Sequence, residues 1–246
     1  MEISRTPDTQ IEQGSVVAMF SSVEDSPIDL QALRAALAKD HWARLPNSAH
    51  AIDRIVKALG VPVPSRPNGS LVDVLVPRSR FQAPTRSLSA RYGMATFPFH
   101  IDTAHWVTPA RYVVLCWSAS IPSRCPTLIF DWRRAMQGVN MHLFEDALFH
   151  VRSGRHSFFA HALTSGHRFL RVDPGCLRPI NRAAERALTF LDDVLSRAHP
   201  TEIVWGAGDV VVLDNWSILH ARGPAHQIDA RTLTRTLIRE RAHGSV

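Results

Sequence analysis

The sequence predicts a mostly β protein with flanking helices (α+β), built on a double-stranded β-helix, or jelly-roll, core. After residue 70 the chain breaks into short runs rich in branched and aromatic residues, separated by turn residues, a texture typical of sandwiches and barrels. These runs are 71–76, 111–118, 127–131, 156–163, 168–172, 209–214 and 232–239. At 246 residues and 45% hydrophobic content, the chain can bury one sizeable core, which favours a single domain.

The first 70 residues predict a small helical cap. A short apolar run at 16–20 is compatible with one strand. Residues 29–42 predict a first helix, because apolar side chains recur at helical spacing after Asp29, which is a suitable N-cap residue. A second helix over 49–59 ends at Gly60, and a proline-rich turn region follows. We therefore divide the single domain into a cap over about 1–70 and a jelly-roll core over about 71–246.

One strong helix interrupts the strand-rich part. Residues 181–198 carry apolar side chains at helical spacing, and Pro200 closes the segment. Residues 132–150, between two strand runs, show no strand periodicity. Long irregular connections in compact domains often serve as lids, so this segment is predicted to be a lid-like insert near the substrate, with an ordinary surface excursion as the alternative.

Composition narrows the class of partner. No window reaches the roughly 18 uninterrupted apolar residues of a membrane span, and the N-terminus lacks a signal-peptide pattern, so we expect a cytoplasmic protein. Three cysteines without metal-ligand spacing suggest reduced thiols. The net charge of +6 comes from scattered arginines without a basic block, which argues against nucleic acid and favours a small anionic substrate. A homo-oligomer is left open.

His100 and Asp102 suggest a metal site. On a strand, residues i and i+2 project to the same face, so the imidazole and the carboxylate can reach a common point. His220, far downstream, would complete two histidines and one carboxylate on one side of an ion, which leaves the opposite positions open as a non-haem Fe(II) oxygenase requires. With 13 histidines in the chain, the His-x-Asp pair alone is weak evidence.

Further features strengthen this interpretation. Residues 208–215 read as a turn, a buried strand and a polar exit, which would deliver His220 from a rigid element. Strict alternation over 231–239 places Arg231 and Arg235 on the same strand face as leucines, where a guanidinium is costly unless it meets an anion such as a carboxylate. The hydroxyl of Thr127 is placed to add a further bond to that carboxylate.

The motifs in residues 88–106, 109–115 and 208–222, followed by Arg231 and Arg235, resemble those of the taurine dioxygenase (TauD/TfdA) family. This family belongs to the Fe(II)/2-oxoglutarate-dependent oxygenases and includes clavaminate synthase-like enzymes. The resemblance covers roughly residues 85–130 and 200–240 and is specific in those stretches.

The resemblance implies a role for each matching residue. His100, Asp102 and His220 would bind Fe(II). Arg231, eleven residues after the distal histidine, would hold the far carboxylate of 2-oxoglutarate, and Arg235, fifteen residues after it, would point into the substrate or cosubstrate pocket. Thr127 would match the threonine that helps hold 2-oxoglutarate.

The implied reaction consumes O2 and 2-oxoglutarate, releases succinate and CO2, and oxidises an unactivated C–H bond of a small anionic or amino-acid-like metabolite, as in specialised metabolism. Hydroxylation is the expected outcome, with desaturation or another oxidation open. The family's halogenases carry a small residue where this chain has Asp102, which argues against halogenation.

Two other function classes remain open from the sequence. One is a jelly-roll metalloprotein of non-oxidative function, either a zinc enzyme or a small-molecule sensor. The other is a binding protein that keeps the fold without turnover. His105 and His226 are competing metal ligands that do not fit the family positions, and Arg171 and Arg178 are assigned either to the pocket or to structure.

Overall fold

The computed structural model describes residues 28–66, 68–85, 87–117, 119, 123–225 and 232–241. The predicted mostly β architecture with flanking helices is confirmed. The helices are α1 (Leu30–Asp40), α2 (Ile52–Leu59), α3 (Leu88–Tyr92), α4 (Trp132–Ala135), α5 (His142–Asp146) and α6 (Arg182–Arg197). The strands are β1 (Trp42–Leu45), β2 (Val61–Val63), β3 (Val72–Leu75), β4 (Tyr112–Trp117), β5 (Ser123–Asp131), β6 (Leu148–Ser153), β7 (His156–His161), β8 (Leu177–Pro179), β9 (Thr201–Trp205), β10 (Val210–Asp214), β11 (Ile218–Arg222) and β12 (Leu233–Arg239).

Two antiparallel sheets face each other and enclose the central core. The major sheet has the order β1-β10-β4-β12-β2, with β3 also paired to β12, and the minor sheet has the order β11-β5-β9. Leu115 and Leu237 from the major sheet belong to the same buried cluster as Ile129, Ile203 and Ile218 from the minor sheet. The jelly-roll prediction is confirmed, and among the described strands the two sheets remain open rather than closing into a barrel.

The outer face of the major sheet is covered by α1 and α2. Leu33 and Ile55 from these helices pack with buried valines of β4 and β10. The predicted N-cap is confirmed, because the Asp29 carboxylate accepts hydrogen bonds from the backbone N–H groups of Gln31 and Ala32, both at 2.9 Å. A Cβ atom on Gly60 would lie 2.3 Å from a backbone oxygen of β12, so the close approach of the chain after α2 requires glycine there.

The outer face of the minor sheet packs against a third layer. This layer contains the sheet β7-β6-β8 and helices α4, α5 and α6. Phe130 and Leu219 of the minor sheet share a buried cluster with Trp132, Phe149 and Leu191. Alternation along β5, with Ile129 in the central core and Phe130 in this outer core, is what allows the minor sheet to be buried on both faces.

Some element predictions were wrong or lie outside the described residues. The first 70 residues are more than a helical cap, because β1 pairs with β10 and β2 pairs with β12. Both strands are too short, at 4 and 3 residues, to display a period in the sequence. Residues 168–172 make one isolated bridge, Leu163 to Leu170, instead of a strand. The run 16–20 lies outside the described residues.

In the described ranges, no helix has both the length and the apolar character needed to cross a bilayer. The cytoplasmic location and the homo-oligomer remain predictions.

Candidate metal centre and cavity

Backbone pairing brings the two histidines together. The N–H of His100 donates to the carbonyl of His220 at 3.0 Å, and the N–H of His220 donates back to the carbonyl of His100 at 2.9 Å. The segment before His100 thus runs antiparallel to β11, with Phe97 N–H also bonded to the carbonyl of Arg222 at 2.8 Å. The two imidazole centroids lie 4.6 Å apart as a result.

Asn215, in the turn between β10 and β11, positions the backbone of Asp102. Its Oδ1 accepts from the Asp102 N–H at 2.8 Å, and its Nδ2 donates to the carbonyls of Asp102 at 3.0 Å and Ala110 at 2.8 Å. Thr103, at φ +57°, accepts the Ala110 N–H on its hydroxyl at 2.8 Å. Asn215 is fully buried and directly follows β10. Its bonds therefore hold the backbone of Asp102 against the end of the major sheet.

The arrangement of His100, Asp102 and His220 fits a divalent cation. One ligand atom from each residue lies within 4.8 Å of the others. Asp102 Oδ2 is buried without a hydrogen-bond partner and lies 3.6 Å from His220 Nε2. His100 Nδ1 donates to the Pro98 carbonyl at 3.0 Å, which leaves its Nε2 as the coordinating nitrogen. A buried carboxylate oxygen without a donor is what a bound cation would satisfy.

Arg235 joins Asp102 to a second buried acid. Its Nη1 donates to Asp102 Oδ1, while its Nε and Nη2 donate to Asp73 Oδ2 at 3.3 and 2.8 Å. Burial opposes ionisation of Asp102, but the charges of Arg235 and the nearby histidines outweigh it and lower the pKa of this carboxyl. Burial likewise disfavours the Arg235 cation, yet Asp102 and Asp73 raise its pKa above the ordinary value. Asp102 is therefore ionised and ready to bind a cation.

The three candidate ligands open onto a cavity of about 470 Å³. Thr127 and Arg235 also line it, so the structure brings together five of the six predicted site residues. Thr127 is buried, and its hydroxyl accepts a hydrogen bond from Trp205 Nε1 at 3.1 Å. The other wall comes largely from the chain that follows α2 and from the start of α3, namely residues 65, 66, 74–78, 84 and 87–89. Arg231, the sixth predicted residue, lies outside the described residues, as does the rival ligand His226.

The predicted lid-like insert is placed elsewhere. In the described part of the cavity wall, no residue of 132–150 is present. Its large side chains, Trp132, Phe144 and Phe149, are buried in the outer core beyond the minor sheet. The lid assignment stays a prediction, without support from this arrangement.

Arg171 has a structural position. The residue is 2% exposed, and its guanidinium donates to three loop carbonyls beyond Asp102, those of Ala104, Trp106 (2.7 Å) and Val107 (2.9 Å). Burial lowers the pKa of Arg171 to about 10. Arg171 thus braces the loop that follows the carboxylate ligand.

Arg178 and His105 are the two other residues for which the sequence left a role at the site open. Arg178 is exposed on β8 and does not line the cavity. His105 lines the cavity but lies outside the ligand cluster. Burial lowers the pKa of His105 despite the opposing carboxylates of Asp173 and Asp102.

The sequence interpretation missed four residues of this region. Asp73 could have been noticed in the sequence, because it is the one acid in the otherwise apolar strand β3. The structure buries it. Asn215 lies within the motif region 208–222, but nothing in that pattern assigns it a role. Asp173 and Arg78 line the cavity and form no ion pair with another described residue, but no spacing in the sequence links them to His100.

Comparison with protein families agrees with this site. Residues 129–237 match the model of the taurine catabolism dioxygenase TauD, TfdA family. This range contains His220 and Arg235, whereas His100, Asp102 and Thr127 precede it. No curated protein matches the sequence.

Several solved structures share the fold. Asparagine oxygenase, in complex with Fe(II), 3-hydroxyasparagine and succinate, has a TM-score of 0.66 at 18% identity, with 85% of this chain and 78% of that chain covered. PvcB, an Fe, alpha-ketoglutarate-dependent oxygenase from an isonitrile synthetic pathway, has a TM-score of 0.62 at 19% identity, with 86% and 80% covered. A mutant of the non-haem iron oxygenase OrfP, solved in complex with 3-hydroxy-arginine, has a TM-score of 0.59 at 18% identity, with 76% and 63% covered.

Proposed function

Because residues 129–237 match the model of the TauD, TfdA family, we propose that this chain is a non-haem Fe(II)/2-oxoglutarate-dependent oxygenase. It hydroxylates a C–H bond of a small amino-acid-like metabolite and releases succinate and CO2. The observation that carries this proposal is the convergence of His100, Asp102 and His220 at the cavity, with ligand atoms within 4.8 Å of one another.

In this proposal the three residues hold Fe(II) from one side. His100 presents Nε2 because its Nδ1 is bonded to a carbonyl, and Asp102 presents Oδ2 because its Oδ1 is bonded to Arg235. The bound iron supplies the activation of O2 that C–H oxidation needs. The protein's contribution is to keep the ligand set in place and to orient the substrate in the cavity.

Thr127, Arg231 and Arg235 are the proposed 2-oxoglutarate residues. Thr127 offers a hydroxyl from the cavity wall. Arg235 uses three of its five N–H donors on Asp73 and Asp102, so two remain for an incoming carboxylate. A guanidinium can hold a carboxylate by two parallel hydrogen bonds, which is the role proposed for Arg231.

A zwitterionic substrate is supported by the charges of the cavity. The lining residues Asp102, Arg66 and Arg235 and the adjacent buried Asp73 neutralise one another through ion pairs. Among the described lining residues, Asp173, Arg78 and Arg222 lie outside this ion-paired group, and Arg222 donates to the carbonyls of Gly93 and Ala95. Asp173 and Arg78 then offer the substrate an acid and a base. An amino acid carries one charge of each sign, so its ammonium group can be placed on the acid and its carboxylate on the base. Hydroxylated amino acids are also what asparagine oxygenase and OrfP hold in their structures.

The test is a substrate screen. Protein loaded with Fe(II) and 2-oxoglutarate is exposed to O2 with each of a panel of amino acids, and succinate and hydroxylated product are quantified. We expect one or a few amino acids to stimulate succinate release, and His220→Ala to abolish it. Asp173→Asn is expected to raise KM for that amino acid about tenfold, with Fe(II) affinity unchanged. Stimulation only by substrates without an amino group would contradict the zwitterion assignment, and absence of succinate from iron-loaded protein under every condition would contradict the oxygenase assignment.

A further inference from the structure

Asp73 is a buried acid that contacts Arg235, and Arg235 in turn contacts the metal-ligand candidate Asp102. It lies on β3, where backbone pairing places it opposite Arg235 of β12. Its side chain is 5% exposed and receives Arg235 Nη2 at 2.8 Å and Nε at 3.3 Å. The same guanidinium donates through Nη1 to Asp102 Oδ1. Arg235 therefore lies between two carboxylates, of which only one is a metal-ligand candidate.

Other contacts hold Asp73 firmly in this position. Ser65 donates its hydroxyl to Asp73 Oδ2 at 2.5 Å, and Arg66 Nε lies 3.2 Å from Oδ1. The carboxylate thus has partners on both oxygens, and a rotation would break several bonds at once. A guanidinium bonded to so constrained an acid is itself restricted, because its planar group of donors has a rigid geometry.

We infer that Asp73 is a positioning residue for the metal centre, acting through Arg235, a role that rests on the proposed function. Arg235 occupies Asp102 Oδ1, so Oδ2 is the oxygen directed towards His220. Asp73 determines where Arg235 lies and offsets its positive charge. Without Asp73, the positive charge of Arg235 beside Asp102 would be less compensated. Arg235 would then compete with the metal for the Asp102 carboxylate.

The expected effect is a loss of metal affinity. Partners that orient metal-binding side chains typically contribute 10–100-fold to affinity. Asp73→Asn keeps the size of the side chain and removes its charge, and we expect it to raise the dissociation constant for Co(II), used as the metal probe, about tenfold. Co(II) binding is followed by its visible absorption, which requires neither 2-oxoglutarate nor turnover.

Asp209→Asn is the matched control. Asp209 is also a buried acid of the major-sheet region, and it receives Arg44 Nη2 at 2.6 Å and Nε at 3.1 Å. Neither acid lines the cavity, but Asp73 is bonded to Arg235, which does line it. We expect this variant to lower stability comparably and to leave the Co(II) dissociation constant within about twofold of the wild-type value, since the guanidinium on Asp209 is that of Arg44 and not that of Arg235.

A double-mutant cycle tests the pathway through Arg235. If Asp73 acts through that residue, Asp73→Asn has less than about a twofold effect on Co(II) affinity in an Arg235→Gln background, because coupled residues are not additive. An equal effect in both backgrounds, or unchanged affinity in the folded single variant, overturns the inference. Asp73→Ser is the second variant if Asp73→Asn does not fold, with the same expectation. Failure of the wild type to bind Co(II) would instead overturn the proposed metal centre itself.

Discussion

Asn215 gives the sharpest prediction from the structure, because one buried amide carries three hydrogen bonds around the carboxylate ligand. Asn215→Ala removes the bonds to Asp102 N–H, Asp102 carbonyl and Ala110 carbonyl. Each bond contributes about 1 kcal/mol net, and a buried group left without a partner costs about 1–3 kcal/mol. We expect the free energy of unfolding to fall by about 3–5 kcal/mol, measured by urea denaturation of metal-free protein.

Asn181 is the control, because its side chain also makes three hydrogen bonds, at an exposed position. It caps α6 by accepting from Ala184 N–H at 2.9 Å, accepts from Leu148 N–H at 3.2 Å and donates to the Asp146 carbonyl at 2.9 Å. Water can replace these partners, so Asn181→Ala is expected to cost about 1 kcal/mol. Asn215→Ala should also weaken Co(II) binding about tenfold, whereas the control should not. Equal stability losses in the two variants would refute the reasoning that burial sets the cost.

Three other predictions follow from the same contacts. Arg171→Met is expected to lower the free energy of unfolding by about 3 kcal/mol in urea titrations, because three loop carbonyls lose their donor; a loss under about 1 kcal/mol would contradict this. Thr127→Val should weaken 2-oxoglutarate binding by about tenfold at unchanged Co(II) affinity, whereas the same substitution at buried Thr236 in β12, which does not line the cavity, should leave both affinities unchanged. Because the Asp102 pKa is lowered from 3.8 in the metal-free folded protein, its stabilising contribution is present above about pH 4 and is lost as the pH falls through the lower folded value. Comparing urea titrations of the wild type and Asp102→Asn across that window checks the sign, and a difference that grows on acidification would be inconsistent with it.

Much of the fold could be predicted because long periodic segments carry their own signal. The helix 181–198 was expected within a residue or so of its observed bounds, Arg182–Arg197, because sixteen residues repeat one apolar face and Asn181 caps it. β4 and β10 were predicted because each is a continuous apolar run, buried throughout or nearly so. Short edge strands such as β2 gave no such signal, since backbone pairing with β12 rather than side-chain pattern defines them.

The metal triad could be predicted because each ligand lies in a local motif. His100 and Asp102 are two residues apart, and His220 follows a buried strand that fixes its position. The sequence could not indicate that Arg235 contacts Asp73, since that contact depends on β3 lying next to β12. It also could not place the 65–89 wall or Asp173 at the cavity, because those contacts join segments far apart in the chain.

The most direct test of the central claim is anaerobic visible absorption of metal-free protein given Fe(II) and then 2-oxoglutarate. The wild type is predicted to develop a new charge-transfer band, and both Asp102→Ala and Arg231→Ala are predicted to lose or weaken it. The first variant removes a proposed iron ligand, and the second removes the cation proposed for the far carboxylate. Folded wild-type protein that binds Fe(II) without any such band would contradict the 2-oxoglutarate assignment and leave a metalloprotein of non-oxidative function.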